Sequence, residues 1–247
     1  FWNKFAPNYR PTHNRMNLLL QSALPEINAA IKITGSKSET NRLLLLKALF
    51  PNITLVNTSN SDDSEVMQKA LTGTDTIVDI HHAGTAMRFL TAYFAVNAGR
   101  EVVLTGSSRM QERPIKILVE ALEQLGAVIT YEKEVGYPPI RIKGQKITAS
   151  KVNLAANVSS QYISALLLVA SKLENGLELT LEGEITSIPY IKMTLALLND
   201  LDIQTSFEGN VIKVAPKSAV ATKEMTVESD WSSASYYFSI AALADAA

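Results

Sequence analysis

Cysteine is absent from all 247 residues. That excludes a disulfide scaffold, a thiol nucleophile and a thiolate metal site, and it fits a reducing cytoplasm. Aromatics are sparse at 7% and scattered, which argues against a repeat scaffold that presents an aromatic surface to a protein partner. No charge of either sign is in surplus: 23 basic residues face 24 acidic ones, so there is no global pull toward nucleic acid or an anionic membrane. Long hydrophobic runs are also lacking. Leu43 to Leu46 and Ala165 to Ala170 are far too short to span a bilayer. Phe1 to Arg15 are polar, carry Pro7 and Pro11, and show no apolar stretch of the signal-peptide kind. The three histidines, His13, His81 and His82, have no carboxylate or second imidazole at a convincing ligand spacing, so no metal or cofactor is expected.

What is present is core-forming material, 47% hydrophobic residues, arranged in an α/β alternation. Ser36 and Glu39 read as a capping box opening a helix over about 38–50. A strand over 53–57, a helix over 63–71 and a strand over 77–80 follow. The next pass predicts a helix over 85–97, a strand over 101–104, a helix over 114–125, and strands over 128–131 and 140–142. The third predicts helices over 160–172 and 189–201, with strands over 177–181, 203–207 and 211–214. Three passes of one pattern, about 60 residues each, suggest a lobe with approximate threefold organisation, the first pass short of one strand. A final apolar segment, SSASYYFSIAALADAA, reads as a helix from Ser232 that wants burial.

Small and hydroxyl residues stand at the predicted helix starts: Gly35-Ser36-Lys37-Ser38, Ala83-Gly84-Thr85, Val158-Ser159-Ser160-Gln161 and Thr186-Ser187-Ile188-Pro189. Free N–H groups and a partial positive charge at such ends suit phosphate. Serine caps helices throughout proteins, so any one of these alone says little. Basic residues add weight: Lys37 and Arg42 at the first start, Arg88 one turn into another, and Arg109 and Arg113 around a loop. Together they point to an anion with more than one charged group.

These segments resemble the 5-enolpyruvylshikimate-3-phosphate synthase family. TGSKSETNR (Thr34 to Arg42) is similar to its GSKS-x-x-NR signature and AGTAMR (Ala83 to Arg88) to its second. LTGSSRMQERP (Leu104 to Pro114), VSSQY (Val158 to Tyr162), SIPY (Ser187 to Tyr190) and DWSSASY (Asp230 to Tyr236) follow in the expected order. The fold-related UDP-N-acetylglucosamine enolpyruvyl transferases carry Lys-Asn after Gly-Ser and a loop cysteine. Lys37-Ser38 and the missing cysteine favour the shikimate branch.

The resemblance implies an enolpyruvyl transferase-like lobe of three βαβαββ units over 34–227, with 16–33 and 228–247 as fragments of a second lobe and 1–15 unassigned. It implies transfer of the enolpyruvyl group of phosphoenolpyruvate to the 5-hydroxyl of shikimate 3-phosphate, in the chorismate and aromatic amino acid pathway. Shikimate 3-phosphate would be held by Ser38, Arg42, Ser159, Ser160, Ser187 and Tyr190. Phosphoenolpyruvate would be held by Lys37, Gly84, Arg113 and Gln161, supported by Thr85, Arg88 and Arg109, with Lys37 also catalytic. The family's acidic partners, carboxylate-binding arginines and a last lysine belong to a stretch after position 247. The 247 residues alone are therefore expected to be inactive, and a phosphometabolite-binding lobe without catalysis is the alternative. A cytoplasmic monomer, with no nucleic acid or membrane partner, is expected. Phe89 departs from the proline common after AGTAMR, which puts the placing of Gly84 and Thr85 in question.

Overall fold

Three helices of this sequence carry long buried segments, and such segments are stable only when surrounded. They are α1 (Lys37–Leu49), α3 (Gly84–Val96) and α6 (Ser160–Ala170), and each is buried over most of its length. The computed structural model describes residues 29–243. The chain divides into two units, 1–32 and 33–247; of the first, only residues 29–32 are described.

Around the three inner helices run β1 (Ile53–Val56), α2 (Asp62–Thr72), β2 (Ile77–Asp79), β3 (Glu101–Thr105), the short α4 (Ser108–Gln111), α5 (Lys116–Gln124), β4 (Val128–Tyr131) and β5 (Ile140–Lys143). Then come β6 (Lys151–Ala155), β7 (Leu177–Glu182), α7 (Ile188–Asp200), β8 (Thr205–Glu208), β9 (Val211–Val214), β10 (Lys223–Thr226) and α8 (Trp231–Leu243). Two four-stranded sheets share one plan. In the order β2-β3-β5-β4 the first pair is parallel and the others antiparallel, and β6-β7-β9-β8 repeats this. The expected βαβαββ unit is thus complete twice. The first pass has no four-stranded sheet among the described residues: β1 pairs with β10, which returns from far along the chain to lie parallel to it.

Some elements differ from the sequence expectation. The helix expected over 114–125 begins at Lys116, because the Gly136 carbonyl accepts the N–H groups of Ile115 and Lys116 at that end. Gly136 has a φ of 98°, which a residue without Cβ adopts freely. β6 was not expected. Its KVNLA alternates exposed and buried positions, but Lys and Asn on the outer face hide a strand that its pairing with β7 creates. The last helix begins at Trp231, with Tyr236, Phe238 and Ile240 exposed; residues 244–247, and residues 16–28 of the lobe fragment expected over 16–33, lie outside the described residues.

The start of α1 is threaded through the segment before α8. The Ser36 N–H donates to the Glu228 carbonyl (2.7 Å), and the Glu228 N–H donates to Glu39 Oε2 (2.9 Å). Gly35 permits this passage: a Cβ there would lie 1.8 Å from the Asn57 carbonyl oxygen. The capping box is therefore half formed. Ser36 Oγ accepts the Glu39 N–H, but the Glu39 carboxylate is taken by Glu228 rather than by the Ser36 N–H. Burial, opposed by that N–H and reinforced by the Glu228 and Asp200 carboxylates, holds the Glu39 carboxyl above its ordinary value. An acid raised in the fold costs stability wherever it is ionised, and the cost vanishes as pH falls through its folded value. Glu39→Gln keeps an acceptor for Glu228 and removes the charge. Its melting temperature is expected to equal or exceed that of the wild type at neutral pH, with the advantage fading on acidification. An advantage that grows in acid, followed by circular dichroism, would contradict this.

Candidate functional site

Hydrogen bonds between the inner helices show that their N-termini lie at one end of the lobe. Gln161 Nε2, second residue of α6, donates to Thr85 Oγ1, second residue of α3 (3.2 Å). Arg42, early in α1, donates through Nη2 to Ser164 Oγ of α6 (2.9 Å) and through Nε to Thr194 Oγ1 of α7 (2.8 Å). All four starts named in the sequence are thus drawn to the same end. Each leaves backbone N–H groups without intrahelical acceptors.

The capping alternative can be judged start by start. Ser36 and Ser159 accept backbone N–H bonds from Glu39 and Gln161 and do act as caps. Ser187 makes no capping bond at α7, and α3 starts at Ala83, which has no cap to offer. At α3 the approach is made by Arg113 instead: a Cβ on Gly84 would stand 2.5 Å from Arg113 Nη1. Any residue but glycine would push that guanidinium away from the helix start.

Arg42 and Arg88 are 3% and 5% exposed. Arg42 spends its third bond on the Ser38 carbonyl (2.7 Å), and its guanidinium lies over Phe89 (5.5 Å) and Tyr190 (5.8 Å). Arg88 donates to the carbonyls of Gly84 (3.1 Å) and Pro114 (3.2 Å) and lies over Tyr162, while its Nε is buried without a partner. The Tyr162 hydroxyl donates to the same Pro114 carbonyl (2.7 Å). Among the described residues no carboxylate pairs with Arg42, Arg88, Arg109 or Arg113. Burial pushes the Arg42 guanidinium down to about 10, against a smaller opposing influence of Tyr190. Burial likewise lowers Arg88, with Tyr162 resisting and the Arg113 cation adding to the fall.

Lys37 is half exposed, with Nζ 3.9 Å from Asp63 Oδ2 at the start of α2, too long for a hydrogen bond. Ser38, Ser160 and Gln161 are half-buried, and Tyr190 is exposed beside Arg42. Arg109 is exposed on α4, and no hydrogen bond ties it to the others; its neighbour Met110 is the one placed against Arg88. Phe89 is fully buried in an unbroken α3, so the proline common in the family is not needed to form this helix. Ser164, Thr194 and Asp63 were not expected from the sequence. A hydroxyl inside an apolar helix such as SQYISALLLVA is the signal that could have found Ser164. Two cavities, of about 380 and 130 Å³, lie elsewhere, and no candidate residue lines them.

The family model of EPSP synthase (3-phosphoshikimate 1-carboxyvinyltransferase) matches residues 64–247. The chain belongs to this family. A 3-phosphoshikimate 1-carboxyvinyltransferase of Bacteroides fragilis (strain YCH46) is 48% identical over 225 residues, covering 91% of this chain and 55% of the relative. One of Marinomonas sp. (strain MWYL1) is 36% identical over 258 residues, covering 93% and 60%. The crystallised EPSP synthase of Acinetobacter baumannii superposes with a TM-score of 0.70 over 84% of this chain and 51% of its own, at 20% identity, which speaks to fold. The EPSP synthase fold of the lobe is thus shown twice over, while the chain spans about half the length of the curated relatives it matches.

The cost of Arg42 can be measured. Burial lowers its guanidinium to about 10, so keeping the charge in the fold costs stability. Ser164 and Thr194 already share a bond (3.1 Å), so removing the guanidinium orphans neither. Arg42→Met is expected to unfold in urea within about 1 kcal/mol of the wild type. A loss of several kcal/mol would make Arg42 a structural post instead.

Proposed function

We propose that the enzyme to which this chain belongs transfers the enolpyruvyl group of phosphoenolpyruvate to the 5-hydroxyl of shikimate 3-phosphate, releasing phosphate. One observation carries the reading: two nearly buried guanidiniums, without any acidic partner among the described residues, lie behind a face of helix starts. Uncompensated buried cations cost stability, and an anionic ligand supplies what the fold withholds.

In this reading Ser159, Ser160 and Ser187 take the phosphate of shikimate 3-phosphate at the starts of α6 and α7. Ser38, Arg42 and Tyr190 hold its ring. Lys37, the α3 start at Gly84, Arg113 and Gln161 take the phosphoenolpyruvate phosphate. Thr85 fixes Gln161, Arg88 braces the loop at Pro114, and Arg109 supports the rim. The 5-hydroxyl attacks the central carbon of phosphoenolpyruvate as its methylene carbon is protonated. The tetrahedral intermediate then eliminates phosphate. Lys37 can neutralise phosphate charge and pass a proton. The reaction needs no cofactor, and a cysteine-free chain supports a cytoplasmic setting; we take the enzyme to be monomeric, acting on small molecules rather than nucleic acid or membrane.

We further propose that 34–227 is a self-sufficient lobe and that 228–243 belongs to its companion. Amide exchange is then expected to be much faster in α8 than in α6, whose residues Tyr162 to Ala170 are all buried. Equal protection in a monomeric sample would count against that division.

The activity itself is tested by joining this chain to the remaining portion of the Bacteroides fragilis relative. Lys37→Met should lower turnover roughly a hundredfold to a thousandfold, the scale of a lost transition-state charge contact of about 2.7–4 kcal/mol. Lys143→Met, on the exposed face of β5, should leave it nearly unchanged. The 247-residue chain alone should release no phosphate from the two substrates. Similar turnover in both variants would remove Lys37 from the site, and leave a non-catalytic phosphometabolite-binding lobe as the better reading.

A further inference from the structure

His81 and His82 form the turn that delivers the chain into α3, and nothing above gives them a task. The turn is fixed. His81 has a left-handed backbone (φ 52°), its N–H donates to Asp79 Oδ1 (2.7 Å), and its carbonyl accepts the Ser107 N–H (2.8 Å). Such a conformation costs a residue with a side chain about 1 kcal/mol or more, so neighbours must impose it. Gly106 makes room, since a Cβ there would lie 2.5 Å from the His81 carbonyl oxygen.

This places His81 Nδ1 2.6 Å from His82 Nδ1, a gap that holds one hydrogen. His82 Nε2 faces Asp62 Oδ2 at 3.8 Å. The carboxylate favours a hydrogen on Nε2, which leaves Nδ1 of a neutral ring bare, so His81 is the donor in the pair. In that tautomer His82 presents an Nε2–H. At 3.8 Å that donor is not used by Asp62, and the side chain is 61% exposed. It stands two residues before Gly84, at the uncapped start of α3. A separate observation concerns the same end: Arg88, one turn further on and 5% exposed, keeps an Nε without a partner.

We propose that His82 is a further phosphate-binding residue, whose Nε2–H turns from Asp62 to a phosphoryl oxygen held at the start of α3. This rests on reading that start as the phosphoenolpyruvate phosphate site. The ligand class is a phosphate monoester or inorganic phosphate. Its position parallels that of Lys37: both donors lie loosely opposite adjacent acids of α2, and both are released when the anion arrives.

The test is a titration of the ¹⁵N-labelled 247-residue protein with inorganic phosphate, and separately with phosphoenolpyruvate. Sodium chloride at matched ionic strength and pH is the control. The ring nitrogens of His82 are expected to shift with the Gly84 and Thr85 amides and to saturate together with them, while chloride leaves them still. His82→Gln should weaken phosphate about two- to fivefold, the range of one hydrogen bond at a partly exposed site, with the Gly84 amide still responding. If Gly84 and Thr85 respond while His82 does not, and His82→Gln titrates as the wild type, the role of His82 is overturned and the site stands. If neither amide responds, the site reading falls and takes this proposal with it. A response to phosphoenolpyruvate but not to inorganic phosphate would support the monoester as the ligand.

Discussion

Positive charge placed inside an aliphatic lobe without negative charge to match it is the constraint on which this structure turns. Arg42 and Arg88 are nearly buried, yet neither meets a carboxylate among the described residues. The surroundings are arranged to make that tolerable. Carbonyls of Ser38, Gly84 and Pro114 and hydroxyls of Ser164 and Thr194 accept their N–H groups, while Phe89, Tyr190 and Tyr162 present ring faces. Neutral acceptors ease the desolvation but do not cancel the charge, which is why both guanidiniums remain depressed by burial. The same requirement explains polar residues inside apolar helices. Ser164 and Thr194 are fully buried because Arg42 needs them.

The repeat is the means by which several helix starts reach one place. Each complete unit turns a parallel strand pair around a central helix and closes with an antiparallel hairpin, so α3 and α6 start from equivalent corners. The first unit borrows β10 for the purpose. That long return also carries Val227 to Asp230 past the start of α1, where Glu228 is bonded from both sides. The common plan is thereby kept in full by two units, with a parallel pair alone in the first, without a matching repeat in sequence.

Much of this was legible beforehand for a physical reason. Helix starts are written locally, in glycine, hydroxyl and basic residues within a few positions, so Gly84, Ser159 and Ser187 could be found in the sequence. Apolar helices announce their burial in the same local way. What depends on partners far along the chain was not legible. β6 and β10 are strands because β7 and β1 lie beside them, and the Glu39 carboxylate bonds Glu228, nearly two hundred positions away. Arg42 was named as a ligand residue, but its inward turn onto α6 and α7 depends on tertiary packing and could not be read from TGSKSETNR.

Exposed and buried cations are treated in opposite ways here, and the contrast follows from solvation. Arg42 and Arg88 have no acid among the described residues; the Lys37 ammonium faces one at 3.9 Å and the His82 ring nitrogen another at 3.8 Å, from neighbouring residues of α2. A carboxylate beside the buried pair would bind them in low dielectric, and an incoming phosphate would have to displace it at a cost of several kcal/mol. At the exposed rim a loose pair in water contributes about 0–1 kcal/mol, so an acid there can orient a flexible cation and still release it. Asp62 and Asp63 also sit in the first turn of their own helix, where its dipole favours negative charge with or without a partner. Losing Lys37 or His82 to a ligand therefore leaves neither acid stranded.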